Sequence, residues 1–451
     1  MSSTFPLPPE LLAVVLDFVA RGDGGFRQTI KKCALVARLW CSISRPYIFR
    51  EIHISTTKEE SRGWIARCKE SPHLVPFITH ITLTAARNSD SHSGDSDSDS
   101  ERSDRGEEEA ITRLALSSLA WDSKIADLTP HIAFLEQLAS SAGGVQSVRL
   151  GNVEFVKPGD LLLYLSSIPG ALVNLSLTST GALDVETDTY RENGLVNHPQ
   201  NLPHRTWPLS SLVLYHTELR RDILSWLLST AVDLSSLHSL VVVRNYLYGY
   251  HGVSPSAKPL FEQLIVSAGS SLRHLTLGSY NNEVVEFPAS HFHHLRELRQ
   301  LILISQHESG LEPANGLSQL LALIPGLQAH SALEEIVLAV DLDLNSSQDV
   351  LDLRNLKEWG ILDRELDTAA ASIPTFRRLF VLVEISSVFL PENESEDFGE
   401  NYCELVANAV REAMPLALAK GLLAIRGEDY WSGNRIKLLY HEWAFDHELI
   451  I

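Results

Sequence analysis

One apolar pattern recurs along most of the chain: large aliphatic residues at positions one, four and six of a six-residue segment. It occurs as Val145-Gln146-Ser147-Val148-Arg149-Leu150, Leu172-Val173-Asn174-Leu175-Ser176-Leu177 and Leu209-Ser210-Ser211-Leu212-Val213-Leu214. It returns as Leu237-His238-Ser239-Leu240-Val241-Val242, Leu272-Arg273-His274-Leu275-Thr276-Leu277 and Leu298-Arg299-Gln300-Leu301-Ile302-Leu303. Leu333-Glu334-Glu335-Ile336-Val337-Leu338 and Phe376-Arg377-Arg378-Leu379-Phe380-Val381 complete the series. Positions four and six are separated by one residue, which is the period of a strand with a buried face. Between the segments lie stretches with apolar residues at helical spacing, 159–168, 219–230, 259–268 and 316–324. A single strand and helix cannot bury their apolar faces alone, whereas stacked units share one core. The pattern therefore predicts an α/β chain built as an irregular solenoid, a horseshoe of strand–helix units.

The flanking pieces extend this picture. Residues 51–55 read as a short first strand, and 63–69 as a helix with Trp64, Ile65 and Cys68 on one side. Phe77 to Leu83 alternates apolar and polar, predicting another strand. Residues 190–204 interrupt the rhythm and predict an inserted loop, and 392–400 predict a short acidic loop. A helix is expected over 402–421, ended by Gly421, then a last strand at 422–425. The aromatic tail (Tyr430, Trp431, Tyr440, Trp443 and Phe445) is expected to cap the open core of the array. A dinucleotide-binding parallel sheet also alternates strands and helices, but no Gly-x-Gly-x-x-Gly follows any strand here.

The N-terminal stretch is different. Pro8 and Pro9 suit the first turn of a helix, where a fixed φ fits and the missing N–H costs nothing. From Glu10 to Val19 the helix is apolar nearly all round, with Leu11, Leu12, Ala13, Val14, Val15, Leu16, Phe18 and Val19. That is wider than the single stripe of an amphipathic helix. Such a helix either lies wholly inside one core or needs a second cover from outside the chain.

The opening Leu7-Pro8-x-Glu10-Leu11-Leu12, then Leu16, Leu35-Val36, Trp40 and Arg45-Pro46-Tyr47-Ile48-Phe49-Arg50 resemble an F-box, in the form common in mushroom-forming fungi. The resemblance covers residues 5–54. It departs at Ala13 and Val14, where bulkier or charged residues are common, and in the Gly22-Asp23-Gly24-Gly25 loop. It implies a three-helix module that docks on a Skp-type adaptor of a cullin–RING ubiquitin ligase. Leu7, Pro8, Glu10, Leu11, Leu12, Leu16, Leu35, Val36 and Trp40 would form that module, with Trp40 chiefly holding it together. The later segments resemble leucine-rich repeats. Their last apolar residues recur at intervals from roughly the upper twenties to the upper thirties of residues. The asparagine usual three residues further on appears only at Asn245, so the array is degenerate.

Length, charge and cysteine usage narrow the function. At 451 residues the chain exceeds one ordinary core. Residues 55–86 are read as the connection and first unit, 87–109 as a disordered acidic loop and 110–451 as the repeat array with its cap. In residues 87–109, nine acidic residues against three arginines leave −6 of the chain's net charge of −20. That stretch has no large apolar residue to offset its ordering entropy. Its serines followed by acids would suit an acid-directed kinase, or the loop is simply solvated. The overall charge argues against nucleic acid as partner. Four cysteines without a C-x-x-C pair indicate neither a disulfide framework nor a zinc site. No apolar run is long enough to span a bilayer and no basic secretion signal opens the chain, so a cytoplasmic or nuclear location is expected.

No catalytic set emerges. His291-Phe292-His293-His294 lacks a carboxylate at metal-site spacing, and no nucleophile elbow or P-loop occurs. No cofactor is expected, and no enzyme. The alternating strand residues that would face away from the leucines are Asn174, Ser176, Val213, Tyr215, Val241, Val243, His274, Thr276, Ile302, Ile304 and Val337. Left open, they would present a nearly neutral, partly apolar surface suited to a target protein; otherwise helices or loops cover it. Together with the F-box resemblance, this predicts a substrate receptor of a ubiquitin ligase. A protein-interaction scaffold outside any ligase is the alternative, and an enzyme on an α/β fold a third.

Overall fold

Each of the eight apolar segments forms a strand that begins at its third position, two residues later than the apolar pattern alone suggests. The cause lies in the backbone at the strand start. The N–H groups of positions two and three both donate to one carbonyl, that of position two in the preceding strand. Thus His238 and Ser239 share Ser210 O (2.8 and 3.1 Å), Arg273 and His274 share His238 O (2.8 and 3.0 Å), and Arg299 and Gln300 share Arg273 O (2.8 and 3.0 Å). Glu334 and Glu335 share Arg299 O in the same way (2.8 and 3.0 Å). This convergence turns the first leucine out of the ladder and into the core, where Leu172, Leu209, Leu237, Leu272, Leu298 and Leu333 are all buried.

The computed structural model describes residues 11, 14–16, 26–34, 38–55, 57–84, 124–125, 128–139, 144–151, 153–155, 158–169, 171–178, 181–182, 206–215, 221–229, 232–243, 258–280, 289–306, 314–327, 332–342, 350, 353–385 and 395–429. The loop expected at 87–109, the insertion at 190–204 and the aromatic tail after 429 lie outside the described residues. The chain is mixed α/β, dominated by parallel sheet to which eleven strands contribute. It divides into two compact units, residues 1–172 with 178–203, and residues 173–177 with 204–451. The division runs through the strand series.

In the first unit, helical turns at residues 11 and 14–16 precede α1 (Phe26–Ala34) and α2 (Arg38–Phe49). Strands β1 (Glu51–Ser55), β2 (His80–Thr84) and β3 (Ser147–Gly151) pair in parallel, with Glu51 opposite His80 and His80 opposite Ser147. Between them come α3 (Lys58–Glu70), longer than expected, and α4 (Thr129–Ala139). These two helices are tied by a buried hydrogen bond of 2.8 Å between Ser61 Oγ and His131 Nδ1. Helix α5 (Pro158–Ser166) closes the unit.

The second unit takes β4 (Asn174–Thr178), β5 (Ser211–Tyr215), β6 (Ser239–Val243), β7 (His274–Tyr280), β8 (Gln300–Gln306), β9 (Glu335–Leu342), β10 (Arg378–Ile385) and β11 (Leu423–Asp429) in chain order. The pairs from β5 to β11 are parallel with no slip in register; Leu212, Leu240, Leu275, Leu301, Ile336, Leu379 and Leu423 form one row. The connecting helices are α6 (Arg221–Leu227), α7 (Lys258–Ala268), α8 (Ala314–Leu327), α9 (Lys357–Ser372), α10 (Ser395–Ala413) and α11 (Pro415–Ala419). They bury Leu224, Leu264, Leu320, Leu362, Leu366 and Val410.

Two expectations for the C-terminal region are corrected. The acidic stretch 392–400 is helical from Ser395 onward, because Glu396 and Asp397 stand at the favoured N-terminal end of the helix dipole. The helix expected to run unbroken to Gly421 stops at Ala413 and restarts at Pro415, whose ring lacks the N–H needed to continue the ladder. The buried Asp363 on α9 supplies what α11 lacks as a cap. Its carboxylate accepts the backbone N–H of Leu416 (3.0 Å) and of Ala417 (2.8 Å). Gly421, at φ 68°, makes the following turn.

Candidate functional site

The N-terminal helical turns divide their apolar side chains. Leu16 is fully buried and joins Ile30 in a small core, against which Cys33, Trp40, Ile43, Tyr47 and Ile48 pack. Leu11, Val14 and Val15 point the other way and are 54, 64 and 45% exposed. Three large aliphatic side chains in the described helical residues 11 and 14–16 thus lie open to water. Trp40 is half-buried against the Leu16 core. Leu7, Pro8, Glu10, Leu12, Leu35 and Val36 lie outside the described residues.

The alternate rows of the strands in the second unit line up in register. Val213, Val241, Thr276, Ile302, Val337 and Phe380 form one row. Val243, Gly278, Ile304, Ala339 and Leu382 form the next along the strands. They are not open. Val213, Val241, Val243, Ile302, Ile304, Val337, Ala339 and Leu382 make one apolar cluster, each no more than 8% exposed, with Phe380 packed against it. Ser176 and Thr276 are buried as well, while Asn174 and His274 are half-buried; Tyr215 lies on β5. These β-branched residues stack on one another across the ladder, and Gly278 leaves the space that Val243 fills. A Cβ at Gly278 would come within 2.8 Å of Val243 Cγ1. The rows act as core and present no free apolar surface.

The exposed groups at this margin of the sheet are Arg273, Arg299, Arg377 and Arg378, which sit where the strands begin. The shared-carbonyl geometry sets position two of successive strands in a line: Ser210, His238, Arg273, Arg299, Glu334 and Arg377. Beside it runs position three: Ser211, Ser239, His274, Gln300, Glu335 and Arg378. In the first line Ser210 Oγ is 3.2 Å from His238 Nδ1, and Glu334 lies between Arg299 (3.7 Å) and Arg377 (3.6 Å). In the second, Gln300 Nε2 donates to Glu335 Oε2 (2.7 Å), and Arg378 Nε donates to the other oxygen of Glu335. That orientation of the Gln300 amide puts its oxygen 3.3 Å from His274 Nδ1, so His274 carries its proton on Nδ1. Burial lowers the pKa of His274; the Gln300 hydrogen bond opposes this, and the Arg273 and Arg299 charges add to the lowering. His238 is lowered by burial and then by Arg273. Among the residues read as candidate sites, His274 belongs to this pair of lines, and Asn174 holds the same third position on β4. The signal was nonetheless present as the charged doublets Arg273-His274, Glu334-Glu335 and Arg377-Arg378 inside the apolar segments.

Other chemistry is sparse. No group of three or more His, Cys, Asp or Glu able to hold a metal occurs among the described residues, and His293 and His294 are exposed on the short 3-10 turn Ala289–His294. Burial pushes the Cys68 thiol upward, away from nucleophilic use. No helix among the described residues is long and apolar enough to cross a membrane.

The fold defines a mixed α/β protein with parallel strands in sequential order and helical residues near its N-terminus. Set against known families and characterised proteins, the sequence matches no family model and no curated protein.

Proposed function

We propose that this chain is the substrate-recognition subunit of a ubiquitin ligase of the Skp/cullin/F-box kind. The N-terminal helices would dock on the adaptor, and the strand array, read as a leucine-rich-repeat solenoid, would carry the target protein. The chain itself makes and breaks no bond. The observation that carries this reading is the helix whose Leu16 side is sealed while Leu11, Val14 and Val15 stand open. Exposed large aliphatic side chains beside a small packed core support a docking surface. Sequential parallel strands with intervening helices are what stacked strand–helix repeats produce, which supports the array reading. Because the inner apolar rows are buried, target recognition falls to the exposed margins of the array.

The test is direct. The full chain is mixed with a purified Skp-type adaptor and the complex followed by size-exclusion chromatography. Wild-type chain is expected to co-elute, and Leu11→Asp with Val15→Asp to run free while keeping its melting temperature. No complex with the wild-type chain would remove the ligase reading and leave a scaffold acting through the array alone.

A further inference from the structure

The strand-start lines carry a charge opposite to that of the molecule. The chain as a whole has a net charge of −20. Yet position two of β7, β8 and β10 is in each case an exposed arginine, Arg273, Arg299 and Arg377. Two of these share a single acid, Glu334, at 3.7 and 3.6 Å, distances longer than a close charge-assisted hydrogen bond. Glu335 is already engaged by Gln300 and Arg378. The guanidinium of Arg273 has no hydrogen-bond or ion-pair partner among the described residues, and the position-two neighbour on its other side is His238 rather than an acid. Among the described residues no acidic side chain pairs with that charge.

The backbone gives these side chains a fixed spacing. Arg273 N donates to His238 O and Arg299 N to Arg273 O, each at 2.8 Å, so the three residues occupy consecutive strands. Neighbouring strands lie about 5 Å apart, a separation that a single carboxylate or phosphate can bridge with one oxygen toward each guanidinium. Both histidines feel the same field, since Arg273 contributes to lowering His238 and His274 alike.

We propose that the strand-start edge of β6 to β8 binds a short anionic segment of a partner polypeptide, one acidic group seated between Arg273 and Arg299 with His238 beside it. The chemistry shared by the two possible sources, an Asp or Glu carboxylate and a phosphorylated serine, is a small oxyanion with several acceptor atoms. The edge suits a peptide rather than a long polyanion. Only a few strands carry the excess charge, and the strongly negative remainder of the chain repels extended phosphate backbones. This inference concerns the array alone and does not need the adaptor reading, so each can fail without the other.

Fluorescence anisotropy of the full chain with labelled peptides tests it. The probes are a Glu/Asp-rich peptide, its Ser/Gln counterpart, and that counterpart with phosphoserine; a labelled single-stranded DNA is the fourth. One or both acidic probes are expected to bind, more weakly at higher salt, and the neutral peptide not to. The stronger of the acidic probes identifies the source of the oxyanion. Arg273→Glu and Arg299→Glu should each weaken binding about tenfold or more, as expected for loss of a charge-assisted contact and reversal of its charge. Lys357→Glu, the same charge change on α9, should leave it within about twofold. Arg273→Ala, at an exposed position, gives a gentler variant whose melting curve checks folding. The proposal is overturned if neither acidic peptide binds, if Lys357→Glu weakens binding as much as Arg273→Glu, or if the DNA binds more tightly than both.

Discussion

Replacing Leu11, Val14 and Val15 together by alanine separates docking from folding. Leu→Ala removes three carbons and Val→Ala two, and each buried methylene is worth about 0.8 kcal/mol. The three side chains are 54, 64 and 45% exposed in the free chain, so about half of that surface remains for a partner to cover. The triple variant should therefore lose about 3 kcal/mol of docking energy, close to a 100-fold rise in Kd for the adaptor at 1.4 kcal/mol per decade. Alanine is the strongest helix former, so the helix persists. Exposed substitutions of this kind usually change stability by no more than about 0.5 kcal/mol. Leu16→Ala is the contrasting case: it opens a cavity in the Ile30 and Trp40 core and should cost about 2–5 kcal/mol of folding stability. Isothermal titration with purified adaptor reads the first quantity, and thermal and urea melting of each variant reads the second. Adaptor binding by the triple variant within about threefold of wild type would refute the docking argument. A melting loss as large as that of Leu16→Ala would show instead that the patch is packed within the protein.

Three further outcomes follow from the second unit and from β2 of the first. Asp363→Ala leaves the N–H groups of Leu416 and Ala417 without their acceptor and should cost about 1–3 kcal/mol, with faster hydrogen exchange at 415–419; unchanged exchange there would reject the capping role. A methyl added at Gly269 would stand 2.8 Å from His294 O, so Gly269→Ala should destabilise by about 1–3 kcal/mol in urea unfolding, whereas an increase in stability would show that the turn relaxes freely. Burial and the Arg50 charge, opposed by Glu51, lower His80 to about 4, against about 6.5 when unfolded. The unfolded chain therefore takes up this proton first: the stabilising contribution is full above pH 6.5, declines as pH falls to about 4 and is flat below. The decline should be on the order of 2 kcal/mol after allowance for partial exposure, and denaturation of His80→Gln between pH 7 and 4 should show a shallower slope than wild type.

Much of the framework was legible along the chain. Large aliphatic residues at positions four and six announced every strand from β3 to β10, because a parallel strand buried on that face needs this period whatever its neighbours do. Helix α9 is masked in the sequence although Trp359, Leu362, Leu366 and Ala369 have helical spacing, since charged residues such as Glu358, Arg364 and Glu365 lie between them. The two-residue reach of each turn before its strand was not legible, because it depends on two N–H groups meeting one carbonyl of a different repeat.

The amino-acid sequence by itself determined which residues alternate, where glycine and proline break elements, and that the first helix has more apolar surface than one stripe. Only the tertiary structure decided which of those surfaces stay open. Val213, Val241, Ile302 and Val337 alternate just as a solvent-facing row would, yet stacking across the register makes them core. Arg273 and Arg299 are 26 positions apart along the chain and become neighbours through one hydrogen bond of 2.8 Å. Alternation is a local property of a strand, whereas exposure and charge clustering belong to the sheet, and their energetics are set by contacts between residues distant in sequence.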